Sequence, residues 1–252
     1  MKTTASSMFR NANDDRLARP PRPRYGVDAP SFPALLGAAG TACCLASGRW
    51  RRGRTATATA GAVLLAGTGV YLHTTLRGKV GIWERELDRA GLKGDELLLD
   101  LGCGRGTVLI AAAGRLPDGR AVGADLWSGT DQSGNRPETT LANAAAAGVA
   151  DRVDVHTADM TALPFADDSF DVVTSALAIH NISSSEGQRR ALDEAMRVLR
   201  PGGQLLIADF WFAARKYAAH LGRDSTLRPL GPGYWYGGPW LAVTLLRAAK
   251  ER

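Results

Sequence analysis

The sequence predicts an α/β protein: a doubly wound, mostly parallel sheet with a shortened C-terminal part, preceded by an α-helical membrane hairpin. Three observations predict it. From residue 95 onward, short apolar runs alternate with helix-forming stretches, the pattern of a parallel sheet covered by helices. The first run ends in an acidic, glycine-rich turn, Asp100-Leu101-Gly102-Cys103-Gly104-Arg105-Gly106, which passes straight into apolar helix formers. Ahead of residue 80, two apolar stretches flank an arginine-rich turn.

At 252 residues the chain has room for one domain and an appendage, and 45% apolar content fits a packed core. Its formal charge of +6 is uneven. Residues 1–80 carry 12 Lys/Arg against 3 Asp/Glu, and the remainder carries 19 against 22. Residues 81–252 are therefore mildly acidic and offer nucleic acid no basic face. The three cysteines, Cys43, Cys44 and Cys103, form no C-x-x-C pair, so neither a zinc site nor a disulfide framework is expected, and no metal is called for. Cys103 reads as a small loop filler or, less naturally, a reactive thiol.

Residues 1–30 hold Arg10, Arg16, Arg19, Arg22 and Arg24 among Pro20, Pro21, Pro23 and Pro30, the composition of a disordered basic tail. Ser31–Gly48 is uncharged, and Thr55–Leu76 is uncharged apart from His73. A spanning helix needs about 20 apolar residues. The Ala, Gly and Thr content suits two helices packed closely in lipid. Residues 31–76 thus read as a transmembrane hairpin, with homo-oligomerisation through it an open possibility. Three placements remain: a full crossing, which puts the turn arginines outside against the positive-inside tendency; an interfacial position with those arginines on anionic head groups; or a soluble hairpin packed on the core or on a dimer partner. Residues 77–94 turn amphipathic (Val80, Trp83, Leu87, Ala90) and read as a connecting helix packed over the domain that follows, ending at Gly91.

The domain proper, residues 95–252, opens with a strand over Glu96–Leu101, the glycine turn, and a helix over Thr107–Arg115. Glycines let a ligand approach the main chain, and a helix start offers free N–H donors. The NAD fingerprint needs G-x-G-x-x-G; here Thr107 fills the third place and Gly106 comes one residue early. The D-x-G-x-G-x-G pattern instead resembles motif I of class I S-adenosylmethionine-dependent methyltransferases. The resemblance implies a Rossmann-like fold, S-adenosylmethionine as methyl donor, and Asp100, Gly102, Gly104 and Gly106 around its methionine part.

A second strand, Ala121–Asp125, ends in an acid 23 residues beyond Gly102, where a carboxylate suits a ribose diol. The resemblance assigns Asp125 to the ribose; Leu126 and Trp127 follow it, with Trp127 placed to stack on the adenosine. The long connection over residues 127–137 is a candidate cover, and Asn135, Glu138 and Asn143 are its unranked polar groups. After a helix over Glu138–Ala147 and a strand over Val153–Thr157 comes Asp159-Met160-Thr161-Ala162-Leu163-Pro164-Phe165. This run resembles small-molecule methyltransferases, in which the acid (Asp159 here) accepts from the adenine amine and Met160 packs on the ring.

The strand Asp171–Ser175 runs into Ala176-Leu177-Ala178-Ile179-His180. By resemblance Ser175 to Leu177 line the methionine moiety. His180 is placed either as general base or as pocket wall. A helix over Ser185–Leu199 stops at a turn, Arg200-Pro201-Gly202-Gly203, and Gln204–Phe210 is the fifth strand. Thr226–Leu230 and Leu241–Leu246 are expected to close the sheet as an antiparallel pair. The Tyr234-Trp235-Tyr236 cluster between them walls an acceptor pocket, meets a membrane surface, or fills a turn.

Methyl transfer demands proximity and orientation more than side-chain chemistry. The motifs of nucleic-acid amine, arsenite and sterol methyltransferases are absent, and the hairpin points to a small lipophilic acceptor at a membrane, with the catalytic domain facing the cytoplasm. A membrane-anchored S-adenosylmethionine sensor or scaffold is the alternative, and an NAD-dependent oxidoreductase the third reading.

Overall fold

The computed structural model describes residues 22–49, 53–222 and 224–251. Arg10, Arg16 and Arg19 of the basic tail, and Trp50, Arg51 and Arg52 of the turn, lie outside the described residues.

Helices α1 (Ser31–Arg49) and α2 (Arg54–His73) pack antiparallel. Small residues set the contact: a Cβ on Gly40 would meet Leu65, and one on Gly61 would meet Cys44 Sγ at 2.5 Å. Both helices are long and apolar enough to cross a membrane. The connecting helix of the sequence reading is not separate. A π turn over Thr74–Gly78 carries α2 without a break into α3 (Lys79–Ala90), which Gly91 ends in the left-handed conformation. Helix α3 buries Ile82, Trp83, Leu87 and Ala90 on the domain.

The domain then alternates strand and helix: β1 (Leu97–Leu101), α4 (Thr107–Ala113), β2 (Arg120–Asp125), α5 (Pro137–Ala146), β3 (Val153–Thr157), β4 (Phe170–Ala176), α6 (Ser185–Val198), β5 (Leu199–Phe210), α7 (Trp211–Leu221), β6 (Thr226–Pro229) and β7 (Val243–Ala249). The sheet order is β3-β2-β1-β4-β5-β7-β6, with β7 antiparallel to both neighbours and the other pairings parallel. Alternate side chains of β1 feed the two cores: Leu98 joins Trp83, Leu109 and Tyr234, while Leu99 and Leu101 join Leu192, Ile207 and Tyr217.

Three expectations change. The C-terminal part is not shortened, because Trp211–Leu221 is a helix and β6 and β7 complete the seven strands. Exposed Trp211 and Phe212 at its start blur the helical period that would mark it in the sequence. Arg200–Gly203 is not a free turn; it is the bulged start of β5, whose register against β4 shifts between Phe170 and Val172. And residues 22–30 are not a loose tail: they cross the domain as an ordered strap, held by Ala29 N–H to Asp131 O at 2.8 Å and Ser133 N–H to Val27 O at 3.0 Å.

Candidate functional site

A cavity of about 490 Å³ opens at the carboxyl ends of β1, β2 and β4, where ligands bind in open α/β sheets. Its floor is the glycine loop. Gly102 and Gly104 have φ of 68° and 51°. A Cβ on Gly102 would sit 2.2 Å from Ala178 Cβ, and one on Gly104 would sit 2.5 Å from Gln132 Oε1. The floor therefore admits only backbone at these points.

Three acids surround it, each at or just beyond the end of a strand. Asp100 is buried, accepting from Thr174 Oγ1 at 2.8 Å and Leu109 N–H at 3.1 Å. Burial raises its carboxyl to about 7, against the pull of those two hydrogen bonds, and the charge of Asp125 adds to the rise. Asp125 Oδ2 accepts from Gly104 N–H at 2.8 Å; its Oδ1 accepts from Trp127 N–H at 2.5 Å and Asn135 Nδ2 at 3.2 Å. Asp159 Oδ1 takes both the N–H and the hydroxyl of Thr161 at 2.8 Å. Buried Cys103 has its thiol pushed far up by burial and by the charges of Asp100 and Asp125, so it is a filler and not a nucleophile.

The opposite wall comes from outside the motifs. The strap brings Asp28 to the cavity, where four side chains meet on its carboxylate: Lys79 Nζ at 2.7 Å, Thr75 Oγ1 at 2.9 Å, Gln132 Nε2 at 2.9 Å and Tyr236 OH at 2.6 Å. Burial pushes this carboxyl up, but the Lys79 charge and the bonds from Lys79, Tyr236 and Thr75 outweigh it and hold it below the usual range. Trp83 Nε1 donates to Tyr234 OH at 3.2 Å, and both rings join Tyr236 in lining the cavity.

The cavity wall includes the predicted Asp100, Gly102, Gly104, Asp125, Leu126, Asp159 and Met160. Four predicted residues lie off it. Gly106 turns the chain into α4. Trp127 swings outward and donates from Nε1 to Thr157 Oγ1 at 2.8 Å. Ser175 is buried in the sheet on Leu101 O at 3.0 Å, because its place on β4 faces away from the ligand side; Ala176 and Leu177 line the wall instead. His180 holds Asp209 Oδ1 through Nδ1 at 2.8 Å and leans on Phe210, so it braces the end of β5 instead of facing the cavity as a base. The sequence reading named neither Asp28 nor Lys79 as a site residue. The available signal was that Asp28 is one of only three acids in the first 80 residues.

Residues 99–207 match the family described as "Methyltransferase domain". Residues 99–207 thus form an S-adenosylmethionine-dependent methyltransferase domain. The ubiquinone/menaquinone biosynthesis C-methyltransferase of Roseobacter denitrificans is 36% identical over 130 residues, 51% of this chain and 48% of that protein. The demethylmenaquinone methyltransferase of Beutenbergia cavernae is 37% identical over 131 residues, 51% of this chain and 47% of that protein. The chain thus spans about half the length of these relatives. In fold, the methyltransferase domain resembles a SAM-dependent methyltransferase from Aquifex aeolicus, with TM-score 0.53 and 18% identity over 66% of this chain and 88% of that one.

The residues present fit S-adenosylmethionine. The side-chain-free floor at Gly102 and Gly104 is a cradle for it, Asp125 and Asp159 keep acceptor capacity for hydroxyls and an amine, and Asp100 places an acid beside a cation.

Proposed function

We propose that this protein methylates a small lipophilic acceptor of quinol type at a membrane, with S-adenosylmethionine as donor. The observation that carries the reading is the two-sided cavity: acids and open glycines on one side, Trp83, Tyr234 and Tyr236 on the other, with Trp83 on the helix that continues the apolar hairpin and the two tyrosines on the loop between β6 and β7. The relatives' names support a quinone-like ring as the acceptor.

S-adenosylmethionine supplies an already activated methyl group, so the chain's task is to hold and orient. Asp125 is assigned to the ribose diol, Asp159 to the adenine amine with Met160 on the ring, and Asp100 with the glycine loop to the cationic methionine end. Tyr234, Tyr236 and Trp83 present apolar faces to the acceptor ring, and the Asp28 hub locks strap, hairpin helix and C-terminal loop around it.

The test is full-length protein in detergent with methyl-labelled S-adenosylmethionine and demethylmenaquinol as probe. Label extracted with the prenylated product is expected. Tight cofactor binding without label transfer to the probe or to extracted membrane lipids would favour the sensor or scaffold reading. The completed C-terminal part speaks against that alternative, since it supplies an acceptor wall.

A further inference from the structure

The cavity wall continues outward as a row of aromatic rings. Tyr236 lies edge-on to Phe210 at 6.0 Å; Phe210 stacks on Phe212 at 5.7 Å; Phe212 meets Trp211 at 5.7 Å; Trp211 Nε1 donates to Trp240 O at 3.1 Å. A second row reaches Tyr236 from the root of the hairpin, through Phe32 and Tyr71 at 5.4 and 5.0 Å. The outer ends are bare: Trp211 and Phe212 are each 41% exposed and Trp240 is 61% exposed. Water disfavours such rings in a cluster, and membrane–water interfaces favour them.

The same patch carries a cation and is continuous with the hairpin. Arg215, one turn along α7, holds its guanidinium 5.1 Å over the Trp211 ring. The loop carrying Trp240 docks on α2 itself: a Cβ on Gly67 would meet Gly237 O at 3.1 Å, and Thr74 Oγ1 donates to Trp235 O at 2.7 Å. Exposed aromatics, a cation among them and an adjoining pair of apolar helices match the chemistry of one partner, the surface of an anionic bilayer.

We infer that Trp211, Phe212 and Trp240 sit in the head-group region of the bilayer that takes the hairpin, so that a lipid-borne acceptor reaches Tyr236 along this aromatic row without passing through water. The route rests on the lipophilic-acceptor reading; the bilayer contact does not, and the two are measured separately.

Full-length protein is reconstituted in phosphatidylcholine–phosphatidylglycerol vesicles carrying brominated acyl chains, which quench tryptophan at the interface. The quenched fraction is expected to fall in Trp211→Phe/Trp240→Phe relative to the parent; an unchanged fraction overturns the inference. With the demethylmenaquinol probe in vesicles, Phe212→Ser/Trp240→Ser is expected to raise KM about tenfold, equivalent to about 1.4 kcal/mol, while turnover on detergent-dispersed probe stays at the parent level. Equal loss in both presentations overturns the route. If the parent methylates no probe in either form but the quenched fraction still falls, the contact stands and the acceptor reading falls. A parent that sediments as a dimer in detergent, with a monomeric double variant, assigns the face to a second copy and overturns the bilayer contact.

Discussion

Asp125 already has three backbone and amide donors, yet one lone pair of Oδ2 remains for a ribose hydroxyl. Asp125→Ala is expected to weaken S-adenosylmethionine binding by about 1–3 kcal/mol, roughly five- to 150-fold, read by calorimetry; an unchanged Kd would count against the ribose assignment. Asp100 makes a pH prediction. Its folded carboxyl titrates at about 7, against about 3.9 for an unfolded one. Between those values the folded chain binds the extra proton, so this group's contribution to the stability of the cofactor-free protein falls as pH rises toward 7 and levels off above. A cationic cofactor beside Asp100 favours the carboxylate, so binding releases a proton below pH 7, and affinity should rise with pH by up to about tenfold per unit before flattening. Calorimetry in two buffers of different ionisation enthalpy reads that proton, and Asp100→Asn should abolish it; a pH-independent Kd for the parent protein would refute the linkage. His180 carries the opposite expectation. Held by Asp209 and off the cavity wall, it should tolerate Gln with the pH profile of turnover unmoved; loss of its basic limb would restore the general-base role.

The elements sort by how local their causes are. The glycine loop and the strands before Asp125 and Asp159 were readable because turn chemistry and apolar runs act over a few residues. The antiparallel closing pair was readable too, although α7 between β5 and β6 was not. Asp28, Lys79 and Tyr236 were not readable as one site, because they lie up to 208 residues apart and meet only through the tertiary fold. The π turn was equally hidden: it shifts the helical register so that α2 can be apolar all round while α3 presents one apolar face. Its fit is tight. A Cβ on Gly78 would come 2.0 Å from Gly233 O, whereas one on Gly69 meets nothing within 4 Å. Gly78→Ala should therefore destabilise by about 1–3 kcal/mol, lowering Tm in detergent by roughly 2–4 °C per kcal/mol. Gly69→Ala should leave Tm unchanged or higher, since alanine favours a helix. Equal melting of the two variants would show that the loop does not seat on this helix.

At the scale of the whole molecule, if the hairpin enters a bilayer, docking the C-terminal loop at Gly67 sets how much of it lipid would meet. Arg54–Ala66 extends about 20 Å at 1.5 Å per residue, against a hydrocarbon core of about 30 Å. In sequence, the stretch that joins the two helices carries Arg49, Arg51, Arg52 and Arg54. Leaving four arginines inside the core would cost on the order of 10 kcal/mol at about 2.5–3.5 kcal/mol each. Closing a gap of about 10 Å by thinning the bilayer, at a fraction of a kcal/mol per Å, costs a few kcal/mol, and arginine side chains reaching outward shorten the gap further. Crossing is therefore cheaper than stopping midway. The eight Lys/Arg before residue 80 on the domain side also outnumber the four at the tip, which favours keeping the domain on the cytoplasmic side. In a Cys43→Ala/Cys44→Ala background, Gly53→Cys at the tip and Asp118→Cys on an exposed domain turn should react with an impermeant thiol reagent from opposite faces of sealed vesicles. Labelling of both from the same face would mean that the hairpin lies along the interface, its arginines on the near head groups.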